Sequence, residues 1–491
     1  MSASGIALAI IFVIILTGTV IGILAGRRRK MDLEQWTVGG RGFGLIFVWI
    51  LSAGEIYTSY TFLGVSGWAY SRGGPVLYAL AYCGLSYVVA FYILPPIWIL
   101  GRKHGLQTQP DFFQVRYGGK SLAAFVSIVG VAFLIPNLQL QLTGLGIIMQ
   151  AASFEGIGRA PAMLTAGVLL TSFVLISGVR GVAWVSVLKD ALMLAAALIV
   201  GIGVPRIFFG GIGPMFTALA QVKPLHLTMP GSTPNLGHAW FITTVLVNSF
   251  GFYMWPHGFA ASYTAKSADT LRRNAIIMPI YSVTMALMII VGFTAILVAP
   301  GISDPDLSLL TTVRKAFPPW MLGIIGGAGA LTAMVPSAVL MLTAAASFAK
   351  NFYRPIFAPG MTDDAVARLA RIIVVLLSGL SLYLAIYQSV SLVSLLLLGY
   401  AGMVQFFPGV VLGLFWTRVT KTAVFSGMVV GVLTVIALAS LKMDPLWGLN
   451  AGFVGLSLNC LVTCTMSVLA PASVAPTQPE DAAISWNSGV G

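Results

Sequence analysis

The chain has 491 residues, of which 58% are apolar and only 8% are charged, against about 25% charged in soluble domains. So few charges cannot cover a soluble protein of this size, which excludes a soluble enzyme or binding module and indicates a polytopic membrane protein. The net charge of +13 does not point to nucleic acid, because no basic stripe interleaves with aromatics outside the apolar runs.

Thirteen apolar spans are predicted, at about 4–26, 43–70, 74–101, 120–151, 160–179, 182–206, 237–262, 275–299, 319–349, 366–387, 389–416, 422–441 and 447–470. A crossing needs roughly 20 apolar residues, so the longer ones are expected to tilt or break. The joints at 179–182 and 387–389 are the least marked. Most of the 27 Lys and Arg residues fall in alternate loops, beginning with Arg27, Arg28, Arg29 and Lys30. That bias places the N-terminus outside and the C-terminus in the cytoplasm. The first span is not a cleavable signal, because its positive cluster follows the apolar run.

The second span carries Glu55. A carboxylate at membrane depth costs about 2.5–3.5 kcal/mol, and such a group is retained when it faces a cavity, a partner charge or an ion. Its neighbours Ser52, Ala53, Gly54, Tyr57, Thr58 and Ser59 are mostly small or hydrogen-bonding, as an interrupted helix around an ion or solute requires. The fourth span carries Pro136, Asn137, Gln139, Gln141 and Thr143, a polar face toward other helices or a cavity. Lys189 and Asp190 open the sixth span. They could join a network with other buried polar groups, but Lys189 is expected rather to snorkel to the cytoplasmic surface or to form a local structural pair. In the seventh span Gly251, Pro256 and Gly258 interrupt the helix where Tyr253, Trp255 and His257 cluster. Paired broken spans point to a transporter site; His257 belongs either to that site or to the cytoplasmic interface. The ninth span holds Thr332, Pro336, Ser337 and Thr343, and Pro336 frees a carbonyl nearby. Cys83, Cys460 and Cys464 read as buried small apolar residues rather than a disulfide or metal set. Residues 471–491 read as a disordered cytoplasmic tail, leaving 1–470 as one transmembrane domain. No nucleotide loop, metal cluster or activated nucleophile is apparent, so no catalytic residue and no cofactor is expected and the chain is not read as an enzyme.

Three loop motifs carry a family resemblance. EQWTVGGRGFG at 34–44, TQPDFFQVRYG at 108–118 and SGVRGVAW at 177–184 resemble the corresponding loops of the sodium:solute symporter family, over about residues 5–470. The resemblance implies an all-α leucine-transporter-like fold with two inverted five-helix repeats, here spans 2–6 and 7–11. It implies alternating-access symport of a small solute with a coupling cation in the plasma (inner) membrane. The cation would lie between the second and ninth spans, at Ala53, Glu55 and Ile56 on one side and Thr332, Val335 and Ser337 on the other. Many members carry a Ser/Ser or Ser/Thr pair where this chain has Val335 and Pro336, and Asp and Gln where it has Ser186 and Lys189. A sodium ion or a proton taken up by Glu55 both fit this pattern. EIYTSYTF at 55–62 with Val335, Pro336, Ala344, Ala345, Ala346 and NFY at 351–353 resembles the monocarboxylate permease branch. The solute would then be a small organic anion such as pyruvate, lactate or a short-chain acid. Tyr57, Thr58, Tyr60, Thr61, Tyr253 and Trp255 are the candidate solute contacts. Another small solute such as an amino acid, pantothenate or a sugar is the alternative within the family, and a membrane sensor is the alternative outside it.

Overall fold

A computed structural model describes residues 2–26, 44–45, 48–50 and 57–470, with backbone alone at 25–26 and 177–180. Ala53, Glu55 and Ile56 lie outside the described residues, and so does the tail 471–491. The face where Ala3 lies is called outer here, following the Lys/Arg bias.

The described residues fold as an all-helical bundle, and among them eleven helices are long and apolar enough to cross a bilayer. The two further spans expected from the sequence are the interrupted ones. The span at 43–70 is described continuously only from Tyr57, through a π-helical turn Tyr60–Gly64 and the helix Val65–Arg72. The span at 237–262 divides into His238–Gly251, a tight turn Phe252–Met254 and Pro256–Thr264. Pro256 starts the last piece because its ring fixes φ and removes a donor that the first helical turn does not need.

The joint at 179–182 is a reversal within one helical run, Arg159–Phe209. Straight, 51 residues would extend about 77 Å, more than twice the hydrocarbon thickness. Yet both ends lie on the outer face. Arg159 bonds Ser389 and Gly203 sits against Phe317, whereas Gly181 abuts Gly22 near the inner end of the first helix. The joint at 387–389 is a true break, with one helix ending at Tyr387 and the next starting at Leu392.

The helix Pro319–Ser347 is the axle of the bundle and is almost wholly buried. Its glycines make this possible: Gly323 and Gly327 accept Ala7, Ile10 and Ile14 of the helix Ala3–Gly26, and Gly329 accepts the Phe62 ring. Small residues let helices approach where no hydrophobic effect drives them together. A close backbone approach occurs at Gly292 in the helix Ser282–Val298, where an added Cβ would lie 2.2 Å from the Ser66 carbonyl oxygen.

Each end of the bundle is tied by a buried aspartate. At the inner end Asp111 caps the helix Gln109–Tyr117 with Thr108. It also accepts from Lys350 Nζ at 2.9 Å and Asn351 Nδ2 at 2.7 Å, joining this loop to the end of the ninth span. Burial opposes ionisation of Asp111, but Lys350, the Gln107 amide and Asn351 outweigh it and hold the carboxyl below its ordinary range. At the outer end Asp306 Oδ2 accepts from the Leu392 amide at 3.0 Å, and Ser66 Oγ bonds Ser308 Oγ at 3.1 Å.

Gly292→Val forces this helix away from Ser66 and is expected to cost about 1–3 kcal/mol or more, read as a lower melting temperature in detergent. Burial raises the Asp306 carboxyl from 3.8 to about 7. Between those values the folded protein holds a proton that the unfolded chain has released, so stability falls as pH rises through that window. Asp306→Asn should flatten that part of a melting-temperature profile, and an unchanged slope would contradict the assignment.

Candidate functional site

Two helix breaks meet in the middle of the bundle and enclose a small cavity. Its walls are Thr58 and Tyr60 from the first break, Phe252, Trp255 and His257 from the second, Tyr82 and Asn137 from the third and fourth spans, and Leu396 and Tyr400 from the eleventh. Space for water centres is about 20 Å³, enough for one or two waters.

The breaks persist because a glutamine satisfies the backbone at each. Gln141 Oε1 accepts from the Ser59 amide at 3.0 Å, while its Nε2 donates to Asn137 Oδ1 at 3.3 Å. A polar row therefore runs along the fourth span from the break to the cavity wall. Gln109 Nε2 donates to the Met254 carbonyl at 2.6 Å. Gln139, on another face of the fourth span, donates to the Leu384 carbonyl at 3.3 Å and bonds between helices only.

The expected solute contacts divide. Thr58, Tyr60 and Trp255 line the cavity. Tyr60 Oη donates to Tyr78 Oη at 3.0 Å, which fixes its ring. Trp255 packs over Gly399, where a Cβ would lie 2.6 Å from the indole. Tyr57 turns the other way: its Oη bonds Thr284 Oγ1 at 2.6 Å and its ring meets Tyr281 edge-on. Thr61 is fully buried in the wall, and Tyr253 packs against Phe252; neither borders the cavity. His257 does border it and is only 7% exposed, which favours the site over the cytoplasmic interface among its two alternatives. Tyr82, Phe252, Leu396 and Tyr400 were not anticipated. The available signal for Tyr400 was its setting between Gly399 and Gly402, which admit Trp255 and Phe133.

Of the expected cation side, Thr332, Val335 and Ser337 are all buried on the helix Pro319–Ser347. Thr332 Oγ1 donates to the Gly329 carbonyl and Ser337 Oγ to the Ala333 carbonyl, both at 2.6 Å. Each hydroxyl thus spends its proton locally and keeps lone pairs for another donor or a cation. Pro336 has no N–H to give the carbonyl one turn back, that of Thr332.

Lys189 does not snorkel. Its side chain is 0% exposed and its Nζ stands 3.0 Å from Asp190 Oδ1, so only the local-pair alternative survives. The ammonium also lies 5.7 Å from the centre of the Tyr57 ring, which attracts a cation by its quadrupole.

Two further cavities lead from the centre toward the inner face. A narrow one lies between Pro256, Ala260, Thr343, Ser347 and the stretch Gln107–Gln109. A wider one, about 370 Å³, is lined by His104, Asp111, Lys120, Lys350, Asn351 and Arg354 among others. Gln109, which bonds the Met254 carbonyl, borders the narrow one, and the Asp111–Lys350 pair lines the wide one.

The same architecture and sequence recur in known proteins. A sodium-coupled sialic acid symporter, solved with substrate in an outward-open state, superposes with a TM-score of 0.78 over 96% of this chain and 98% of that one, at 17% identity. The uncharacterised symporter YhjB of Bacillus subtilis is 42% identical over 94% of this chain and 97% of its own length. A monocarboxylate transport permease protein of Rhizobium johnstonii is 27% identical over 96% and 98%. The pattern that defines the sodium:solute symporter family matches residues 36–431, and the chain belongs to that family of cation-coupled symporters.

Proposed function

We propose that this protein takes up a small monocarboxylate, of the pyruvate and lactate class, together with a cation by alternating access. It would sit in the plasma (inner) membrane with its N-terminus outside and its C-terminus in the cytoplasm. The observation that carries the reading is the chemistry of the central cavity. Thr58, Tyr60, Tyr82, Asn137 and Tyr400 bring hydroxyl and amide groups to one side, and Phe252, Trp255 and Leu396 form an apolar floor. Among the described residues that line it there is no carboxylate. The helix Pro256–Thr264 starts at the cavity, so its positive end faces a bound anion. A small carboxylate with a short apolar body matches that set. The relative named a monocarboxylate transport permease protein supports the same substrate class.

The coupling cation would lie between the break of the second span, at Ala53, Glu55 and Ile56, and the segment Thr332, Val335 and Ser337 opposite. Glu55 next to an anion site needs neutralising by a cation or a proton, which is the physical reason for cotransport.

Purified protein in proteoliposomes tests this with labelled pyruvate, lactate and proline under imposed sodium or pH gradients. Pyruvate or lactate should accumulate under an inward cation gradient and only equilibrate without one. Accumulation of proline alone would overturn the substrate class. Tyr60→Phe should weaken uptake by roughly threefold to tenfold, the worth of one neutral hydrogen bond. Glu55→Gln should remove gradient-driven accumulation, and wild-type uptake in that variant would exclude Glu55 from coupling.

A further inference from the structure

The buried pair Lys189–Asp190 is unexplained by packing. Removing such a pair in favour of apolar residues is often neutral or stabilising, so stability does not account for it. Both side chains lie inside the bundle, 0% and 12% exposed. They stand at ion-pair distance, yet neither Lys189 Nζ nor either oxygen of Asp190 has an aligned hydrogen-bond partner in the described protein. An ionisable group at this depth marks an ion or proton path by default.

The pair sits where several elements converge. Tyr57 follows the break of the second span, and its ring lies beneath the Lys189 ammonium. Its hydroxyl ties it to Thr284 on the helix Ser282–Val298, and Tyr281 at the head of that helix faces Asp190 and Tyr57. Thr58, next in sequence, is already in the cavity wall. A change of charge at the pair therefore reaches the solute site through one residue. The packed helices Ala3–Gly26, Ser282–Val298 and Pro319–Ser347 contain no ionisable side chain, and the charged residues of the other packed helices are Lys120, Arg314, Lys315, Asp363, Asp364, Arg368 and Arg371.

We propose that the Lys189–Asp190 pair is a proton-binding site that couples proton entry to solute uptake. This deepens the symport reading above and rests on it. Empty, the pair is a zwitterion of no net charge. From the outer side Asp190 takes one proton, its carboxylate becomes a carboxylic acid, and the ammonium of Lys189 loses the charge of its Asp190 partner. That single positive charge favours an anionic solute in the adjoining cavity. Once the solute leaves inward, the Asp190 proton follows it and the zwitterion re-forms. One proton accompanies one anion, and no electron moves.

The site is read without any solute by infrared difference spectra of the reconstituted protein between alkaline and acidic buffer. A buried carboxylic-acid carbonyl band should appear on acidification. It should vanish in Asp190→Asn and shift in Asp190→Glu, with detergent melting curves reporting that both variants fold. Absence of the band in wild type, or its persistence unaltered in Asp190→Asn, overturns the proposal. In proteoliposomes, labelled pyruvate uptake driven by an inward pH gradient should fall in Asp190→Asn by roughly 5–150-fold, the span of ordinary coupling free energies. Lys189→Arg, which keeps a permanent charge, should move the midpoint of the pH profile. Undiminished pH-driven uptake in Asp190→Asn also overturns the proposal. If wild type shows the Asp190 band but moves no pyruvate or lactate, the proton site stands and the monocarboxylate assignment falls.

Discussion

The structure turns on one constraint: a helix broken inside a bilayer leaves backbone groups that lipid cannot satisfy. Two spans are broken here, and each break is supplied by a glutamine from a neighbouring element. Gln141 takes the Ser59 amide, and Gln109 gives to the Met254 carbonyl. With those two bonds in place the breaks can face each other across a cavity, and the chain can present polar atoms at mid-membrane at tolerable cost. The cavity, its closure and its relation to the inner exit all follow from where the glutamines come from. Gln141 stands on a span that lines the cavity, so the first break is fixed to the wall. Gln109 stands on the loop helix that Asp111 fastens to Lys350 and Asn351, so the second break is fixed to the inner closure.

Charge is distributed along the same line. An aspartate at each end of the bundle joins elements that must separate when that end opens. The outer one, Asp306, contacts both the second half of the first broken span and the start of the eleventh span. The inner one, Asp111, joins the loop after the third span to the end of the ninth. Between them lies the Lys189–Asp190 pair, packed under Tyr57 at the first break. Each of these contacts holds elements from different parts of the chain together by buried polar groups. A bundle whose ends and centre are all held this way is suited to switching between closed and open forms.

Composition and patterning made the architecture legible. Apolar runs, the Lys/Arg bias and the loops at 34–44, 108–118 and 177–184 identified the membrane bundle and its family. The break of the seventh span was legible too, because Gly251, Pro256 and Gly258 disrupt a helix for local steric reasons. Thr58, Tyr60 and Trp255 reached the cavity as expected from their place at those breaks. Tyr57, Thr61 and Tyr253 did not, because near an irregular turn one residue of register changes the direction of a side chain.

What the sequence determined by itself is therefore what depends on local chemistry and on the bilayer: the all-helical class, the membrane location, the family and the position of both interruptions. The tertiary structure decided which polar side chains share a space. Lys189 could reach the surface from its position on a single helix, and only its burial beside Tyr57 and Asp190 removes that freedom. Tyr82, Tyr400 and His257 lie in three different spans, far apart in the chain, and their meeting at one cavity depends on helix crossings at Gly399 and Gly402. Such crossings are set by the mutual fit of side chains across the whole bundle, which no local pattern encodes.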